Sequence, residues 1–434
     1  MQFLFKVIIL FLIVFNFRVP VFYNSAFVSI ILSAVYYIWK RGSIPFRYFF
    51  QRYNAIILVG TIALALVIAL IALLHGTDII GLNQKRLWIV FMMLWATIFA
   101  IPLLVEGKED SALEEIALII CSVFALQGVI SLIAYLYSPL ANLLMDMRPQ
   151  EVIDADQEDT LDNRFRYLNL SGTVLVELTA AFGAAFIVFF WMQLRYNHPY
   201  MSGWKKYIFL IFIFLGTVFS GRTGFFGLMF GLGGWLLFSF SRFLRFLKRN
   251  IVYITAFSAI IIFVYYFVFS SSQRQSINNE VFPFAFEWYY NYRDYGKFEV
   301  RSMEATTVHY YYLSDETLLK GHGMLAFGGN SPYPHSDAGY TNNLVFGGIP
   351  FLICLIIYQF LYIARPIAIT LKNNSRENKI DRMFFFILFL YIFFVEIKAP
   401  AIGYMHLVEV MYLALGSAYV MNYYLQREKN KLTG

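Results

Sequence analysis

Long apolar stretches recur along the whole chain, and this repetition limits the possible fold more than any other feature. The hydrocarbon core of a bilayer is about 30 Å thick, and a helix needs roughly 20 residues to cross it. A helix also satisfies its own backbone hydrogen bonds there. With 59% hydrophobic and 14% charged residues, the chain is far too apolar for a soluble domain. The sequence therefore predicts an all-α integral membrane protein.

We count twelve such stretches and predict about twelve transmembrane helices. They cover approximately residues 3 to 17, 21 to 39, 54 to 74, 88 to 105, 116 to 137, 172 to 194, 207 to 220, 224 to 240, 251 to 269, 343 to 364, 383 to 397 and 404 to 424. The first stretch could instead be a signal peptide, but its basic region is only Lys6 and its cleavage signal is poor. We favour an uncleaved helix, so that residues 1 to 434 form a single polytopic membrane domain.

Lysine and arginine accumulate in alternate connections, and this distribution predicts the orientation. They cluster in residues 40 to 53, 195 to 206, 241 to 250 and 365 to 382, and again in the C-terminal tail. Cytoplasmic loops are enriched in these residues, so both termini are predicted to be cytoplasmic. The formal net charge of +7 then mostly reflects topology, and we expect no nucleic-acid partner.

Two connections on the opposite side are long. Residues 138 to 171 are acidic in the middle and carry Arg164 and Arg166 immediately before a helix, and residues 270 to 342 are the largest soluble element. Each is too small to form an independent domain. We therefore expect both to fold over the outer mouth of the helix bundle, where loops carry function on a rigid scaffold.

An isolated cation, Arg222, lies in the run SGRTG between two short apolar stretches. The predicted orientation places it at a hairpin tip near the outer face. An arginine at membrane depth costs about 2.5 to 3.5 kcal/mol on the insertion scale, so it is expected to have a function or a partner. A snorkelling interfacial arginine is the alternative, and this residue alone does not decide between them.

The larger connection combines aromatic rings with cations and ends in a polar cluster. Rings alternate with cations, Arg301 among them, through residues 282 to 313. Such rings either stack on sugars or rest at the bilayer interface. His335, Ser336 and Asp337 then stand directly ahead of a predicted membrane helix. Adjacency in sequence does not make them a nucleophilic triad.

Signatures of other chemistry are missing from the sequence. It has no Walker A loop, no Rossmann glycine pattern in a βαβ context and no metal-ligand spacing among its six histidines. We therefore expect neither a nucleotide or other cofactor nor a metal. Cys121 and Cys354 lie inside predicted helices, so they are interpreted as small packing residues and not as a disulfide framework.

The order of these features resembles the O-antigen polymerase family (Wzy-type) and the related O-antigen ligases. The resemblance spans nearly the whole chain and rests on short motifs in combination. They are Ser220 to Gly224, Arg301 in the late loop, Gly321 with Gly323, Asp337 to Tyr340 ahead of a helix, and Gly347 with Gly348. The run EIKAP, Glu396 to Pro400, is similar to a lysine-containing outer turn of such polymerases.

The resemblance implies a GT-C-like bundle with two longer periplasmic loops in the bacterial inner membrane. It implies a glycosyltransferase that polymerises repeat units carried on undecaprenyl pyrophosphate into O-antigen or a related surface polysaccharide, at the periplasmic face. A hydroxyl of one lipid-linked repeat would attack the anomeric carbon of the growing glycan, and undecaprenyl pyrophosphate would leave. The lipid bilayer, the lipid-linked oligosaccharide, a chain-length regulator and a flippase are the implied partners.

Site residues follow from the same resemblance. A departing pyrophosphate needs positive charge, and arginine matches phosphate oxygens with paired hydrogen bonds. Arg222 and Arg301 are therefore predicted to bind the pyrophosphate, with Arg164, Arg166 and Lys398 as further candidates for donor or acceptor binding.

The catalytic base stays open between two residues. His335 resembles the histidine of the ligases, although its spacing to Gly347 is one residue too long for that signature. Asp337 belongs to the motif that polymerases more often show. We keep His335 as a candidate base and Asp337 as a base or as the group that orients a sugar hydroxyl.

Two other functions compete with the polymerase. An O-antigen ligase would transfer the finished glycan to lipid A core, and no residue in the sequence excludes that acceptor. A lipid-linked oligosaccharide flippase would have two similar halves, short loops and charged residues lining a cavity. The sequence shows no half-repeat, and Glu177, Glu396 and Glu409 lie near the ends of predicted helices and not in a series.

Overall fold

A computed structural model describes residues 2–20, 22, 24–41, 51–77, 79–148, 168–172, 175–196, 198–297, 311–326, 333–372 and 375–433. These residues contain no β-strand, which confirms the predicted all-helical class for this part of the chain. The α-helices are α1 (Gln2–Phe15), α2 (Ser25–Arg41), α3 (Arg52–His75), α4 (Ile79–Trp95), α5 (Ile101–Val105), α6 (Ala112–Leu136), α7 (Ser138–Asp146), α8 (Leu175–Arg195), α9 (Lys205–Ser220), α10 (Gly224–Phe263), α11 (Ser271–Ser276), α12 (Phe282–Ala285), α13 (Glu287–Tyr295), α14 (Asp315–Lys320), α15 (Gly339–Thr370), α16 (Arg376–Glu396) and α17 (His406–Thr433). Turns of π-helix occur at Ala96–Ala100, Val264–Val268 and Ile277–Val281, and 3-10 turns at Glu109–Ser111 and Pro199–Met201.

Several helices have the length and composition of membrane spans. Five described segments qualify: Arg52–His75, Leu87–Val105, Glu109–Leu136, Val176–Arg195 and Gly339–Thr370. Three shorter apolar helices are Gln2–Phe15, Ser25–Lys40 and Gly224–Leu237. These helices support a membrane-embedded protein. The number of twelve spans, the orientation and the single-domain organisation stay predictions.

Helix α8 lies at the centre of the bundle. Of its apolar window 89% is buried, against 33% for α3, and it packs against α6, α9, α10, α16 and α17. By contrast, α3 leaves apolar side chains such as Val59 and Leu66 exposed. In a membrane protein such a face contacts lipid, because lipid tails are as apolar as leucine.

Small residues allow the central helices to approach closely. A Cβ atom at Gly227 of α10 would collide with the backbone of Gly183 on α8. Gly183 in turn lies against the hydroxyl of Tyr391, which donates a hydrogen bond of 2.9 Å to the carbonyl of Ala180. Close backbone contact at small residues is the usual way in which helices associate within lipid.

The first helix belongs to this core. Most of α1 is buried, and the ring of Phe15 lies 5.5 Å from that of Phe124 on α6. Lys6 donates to the carboxylate of Glu115 at 3.1 Å and to the carbonyl of Glu106 at 3.0 Å. A buried cation requires partners of this kind.

One helical run differs from the prediction. Residues 241 to 250 are expected to form a loop, yet they lie inside the continuous run Gly224–Phe263. A straight helix of that length would measure about 60 Å. However, the Tyr135 ring lies 5.6 Å from that of Phe219, just before the run, and 6.3 Å from that of Phe269, just after it. The run must therefore turn back within its length, although it is continuously helical from Gly224 to Phe263.

A break interrupts α15 near its start. Gly347 (φ −142°, ψ 18°) and Gly348 (φ 64°, ψ −167°) leave the helical conformation. The carbonyls of Val345 and Phe346 instead accept hydrogen bonds of 2.7 and 2.8 Å from the N–H groups of His322 and Gly323. Non-helical backbone at membrane depth is tolerated where another segment satisfies it in this way.

Candidate functional site

The structure describes four of the seven predicted site residues. Arg222, Lys398, His335 and Asp337 lie within its described residues. Arg164, Arg166 and Arg301 lie outside them, so their proposed roles stay predictions.

Arg222 lies in a tight connection between α9 and α10. Gly221 adopts φ 152° and ψ 166°, a conformation that only glycine reaches without strain. A Cβ at Gly224 would lie 2.9 Å from the carbonyl oxygen of Thr179 in the first turns of α8. The two glycines thus hold Arg222 beside the start of the central helix.

A carboxylate from the large connection meets Arg222. Nη1 of Arg222 forms an ion pair with Oε2 of Glu287, the first residue of α13. The guanidinium also lies 4.7 Å above the ring of Phe284. The side chains of Arg222 and Glu287 are 21% and 13% exposed, so both are largely shielded. The sequence predicts a function or a partner for this arginine, and the structure supplies a partner.

The connection that carries Arg164 and Arg166 returns next to the same hairpin. Nδ2 of Asn169 donates to the carbonyl of Phe219 at 3.0 Å, and its Oδ1 accepts from Ser131 at 2.7 Å. The buried guanidinium of Arg148 donates to the carbonyl of Asn169 at 3.1 Å. Residues 168 to 172 are therefore fixed beside the backbone that leads into Arg222.

A second cation, Lys398, lies in the turn between α16 and α17. At the start of this turn Glu396 is fully buried, and its Oε2 accepts from the N–H groups of Ala401 and Ile402 at 2.8 and 2.7 Å. Its Oε1 accepts from Nδ2 of Asn343 at 2.6 Å. The carboxylate therefore determines the path of the turn that presents Lys398.

Another buried carboxylate holds the far end of the turn. Oε1 of Glu177 accepts from the N–H of Leu407 at 3.0 Å and lies 2.9 Å from Nδ1 of His406. A carboxylate at a helix N-terminus is favoured by the unpaired N–H groups and by the helix dipole. Glu177 thereby joins the first turns of α8 and α17.

His335 and Asp337 form an exposed pair. Nε2 of His335 lies 3.0 Å from Oδ1 of Asp337, and their side chains are 63% and 65% exposed. Ser336, between them, is fully buried, and its carbonyl accepts from Nδ2 of Asn342 at 2.6 Å. The Ser336 hydroxyl oxygen accepts from the N–H of Ala338 at 3.2 Å, so this side chain helps to hold the backbone just before α15. The pair can bind or deprotonate a hydroxyl that approaches from solvent.

A tyrosine pair holds the backbone immediately before His335. The rings of Tyr311 and Tyr333 stack at 5.6 Å, and the Tyr311 hydroxyl donates to the carbonyl of Pro334 at 2.9 Å. Hydrogen bonds with Ser314 and Thr317 lower the pKa of Tyr333. Burial raises the pKa of Tyr311. These contacts connect residues 333 and 334 to the start of α14.

All of these features lie at one end of the bundle. Contacts join the first turns of α8, α10, α15 and α17 to the last turns of α9 and α16. At the opposite end, Arg195 of α8 pairs with Asp381 of α16 at 3.3 Å. Among the described residues, no group of three or more His, Cys, Asp or Glu side chains could hold a metal ion. The described side chains at the first end include cations, carboxylates and histidines, among them the exposed His335.

Sequence reasoning missed Glu287, Asn169 and His406. Glu287 lies in an aromatic-rich stretch, and no motif in that stretch marks its carboxylate as functional. Asn169 and His406 act through partners far away in the sequence, so no local pattern marks them. Glu287 could have been predicted from Arg222, because an arginine at membrane depth is expected to pair with a carboxylate.

No protein-family model matches this chain, and no curated protein matches it either. The resemblance to O-antigen polymerases therefore rests on the order of short motifs.

Proposed function

We propose that this chain is a membrane glycosyltransferase that polymerises repeat units linked to undecaprenyl pyrophosphate into O-antigen or a related surface polysaccharide, at the periplasmic face. One observation carries the proposal: an arginine at a helix hairpin, a lysine-bearing turn and an exposed histidine–aspartate pair lie at the same end of an apolar bundle. A lipid-linked donor needs an apolar environment for its lipid and cations for its pyrophosphate.

Positive charge on the leaving group is the main catalytic contribution in this proposal. Arg222, together with Arg301, binds the pyrophosphate and stabilises the charge that develops on it as the glycosidic bond breaks. Lys398, Arg164 and Arg166 add charge around the donor or the acceptor. The phosphoanhydride donor is already activated, so the reaction needs no nucleotide.

The acceptor hydroxyl has to be oriented and deprotonated. From the motifs, His335 is a candidate for the base, and Asp337 is a candidate for the base or for the group that orients the hydroxyl. The exposure of both side chains supports contact with the sugar part of the lipid-linked acceptor.

A flippase agrees less well with the contacts of the acidic side chains. Glu177 and Glu396 accept hydrogen bonds from backbone N–H groups at one end of the bundle. Glu409 accepts from the hydroxyl of Tyr358. All three carboxylates are therefore engaged in holding helices or turns. A ligase would use the same donor chemistry and would differ only in its acceptor.

The experiment replaces Arg222 by alanine and by lysine and measures the ladder of glycan lengths together with the membrane protein level. Lysine preserves the charge toward Glu287 but lacks the planar fork that matches phosphate. We expect alanine to abolish elongation and lysine to restore it only in part. Loss of a charge-assisted contact of about 3 kcal/mol slows a reaction on the order of a hundredfold. A normal ladder from the lysine variant would assign Arg222 a structural role alone.

A further inference from the structure

The contact between Arg222 and Glu287 points to an additional catalytic residue. We infer that Glu287 is the general base of the transfer. It pairs with Arg222 until the pyrophosphate of the donor replaces it as the partner of the arginine. This inference rests on the proposed function and deepens it.

Glu287 is held in place by the packing around it. Val281 and Ala285, in the turns just before it, are buried, and Val281 packs in a cluster with Phe219, at the end of α9. Phe284 lies beneath the guanidinium of Arg222. The backbone on both sides of the ion pair is packed, so in this proposal the charges separate by rotation of the two side chains.

The donor competes directly with Glu287 for the arginine. A pyrophosphate carries more negative charge than one carboxylate, and its oxygens match the guanidinium fork in pairs. Before the donor binds, Glu287 neutralises a cation that would be costly to leave alone at this depth. After Arg222 has turned to the pyrophosphate, the Glu287 carboxylate stands beside the reacting groups without that counter-ion.

The freed carboxylate can then accept the proton of the acceptor hydroxyl. The hydroxyl oxygen forms the new bond to the anomeric carbon as its proton moves to Glu287. The bond between the anomeric carbon and the pyrophosphate oxygen breaks, and its electron pair stays on that oxygen beside Arg222. The products are the elongated glycan and undecaprenyl pyrophosphate, and Glu287 returns the proton to water.

Glu287 has two advantages over the pair first predicted. It contacts the arginine assigned to the leaving group. Its side chain is 13% exposed, against 63% and 65% for that pair, so fewer waters compete for the proton. In this scheme His335 and Asp337 bind the acceptor sugar and orient its hydroxyl.

The test compares Glu287→Gln with Asp294→Asn. Asp294 is an exposed carboxylate on the same helix, paired with Arg293, and is the matched control. Each full-length variant replaces the wild-type gene in cells, where the glycan ladder and the membrane protein level are measured. Binding of undecaprenyl pyrophosphate is then measured on the purified proteins in detergent.

We expect Glu287→Gln to bind undecaprenyl pyrophosphate at least as tightly as wild type and to slow elongation at least a hundredfold. Asp294→Asn should match the wild type in both measurements. Glu287→Asp, which keeps a shorter carboxylate, should retain part of the elongation and provides a second variant if the glutamine form does not accumulate.

A charge swap, Arg222→Glu with Glu287→Arg, separates catalysis from a structural ion pair. We expect normal protein level and no elongation. Elongation restored by the swap, or a normal ladder from Glu287→Gln, would overturn the role of Glu287. If the wild-type gene itself produces no ladder in the deletion strain, the proposed function fails, and that result is distinct from either of these.

Discussion

At the scale of single residues, buried charges in this protein are joined to defined partners. Arg222 pairs with Glu287, Lys6 with Glu115, and Glu396 with backbone N–H groups. Each arrangement avoids the large cost of an uncompensated charge away from water. The consequence for function is that Arg222 and Glu396 are held by their partners before any substrate arrives.

Glu396 gives a direct test at this scale. Glu396→Ala removes the acceptor of three hydrogen bonds, and each orphaned donor costs about 1 to 3 kcal/mol. We expect a lower thermal unfolding temperature in detergent and a weaker glycan ladder, because the Lys398 turn loses its anchor. Glu428→Ala, at an exposed site on α17, is the control and should change neither. An unfolding temperature unchanged by Glu396→Ala would show that the turn is held by other contacts.

At the scale of elements, two glycine motifs noted separately in the sequence prove to be one structural unit. Gly321 and Gly323 lie against the break of α15 at Gly347 and Gly348, and backbone hydrogen bonds join them. The motifs themselves could be found by resemblance. The contact between them could not be predicted from the sequence. It depends on which carbonyls lack a hydrogen bond within the broken helix and on which loop donates to them.

Gly348 tests this unit. Its φ of 64° disfavours any side chain, and a Cβ would lie 2.7 Å from the carbonyl oxygen of Leu318. We expect Gly348→Ala to destabilise the protein by about 1 to 3 kcal/mol, measured as a lower unfolding temperature in detergent. Gly233→Ala on α10 is the matched control, since no atom other than those of its own helix backbone and chain neighbours lies within 4 Å of its Cβ position. Equal unfolding temperatures for the two variants would contradict the strain argument.

At the scale of the whole molecule, the sequence predicts the class of fold and several helix ends well. The stretch 207 to 220 corresponds to Lys205–Ser220, because the polar run SGRTG interrupts the apolar pattern there. The clustered cations of residues 241 to 250 predict a loop, but a helix tolerates them, and these residues lie inside the helical run Gly224–Phe263. The Arg222–Glu287 and Glu177–His406 contacts lie beyond prediction, since each joins elements whose arrangement is set by packing.

The central claim about the whole molecule is that it polymerises lipid-linked repeat units, and deletion of the gene tests this claim most directly. The measurement is the length of glycan on surface lipid and on undecaprenyl pyrophosphate, read from the same cells with and without the restored gene. A polymerase acts before ligation, so we predict that the deletion leaves surface lipid bearing a single repeat unit, and that the restored gene returns the full ladder. Long chains that accumulate on undecaprenyl pyrophosphate would indicate a ligase, and repeat units missing from the surface altogether would indicate a flippase; either result would contradict the proposal.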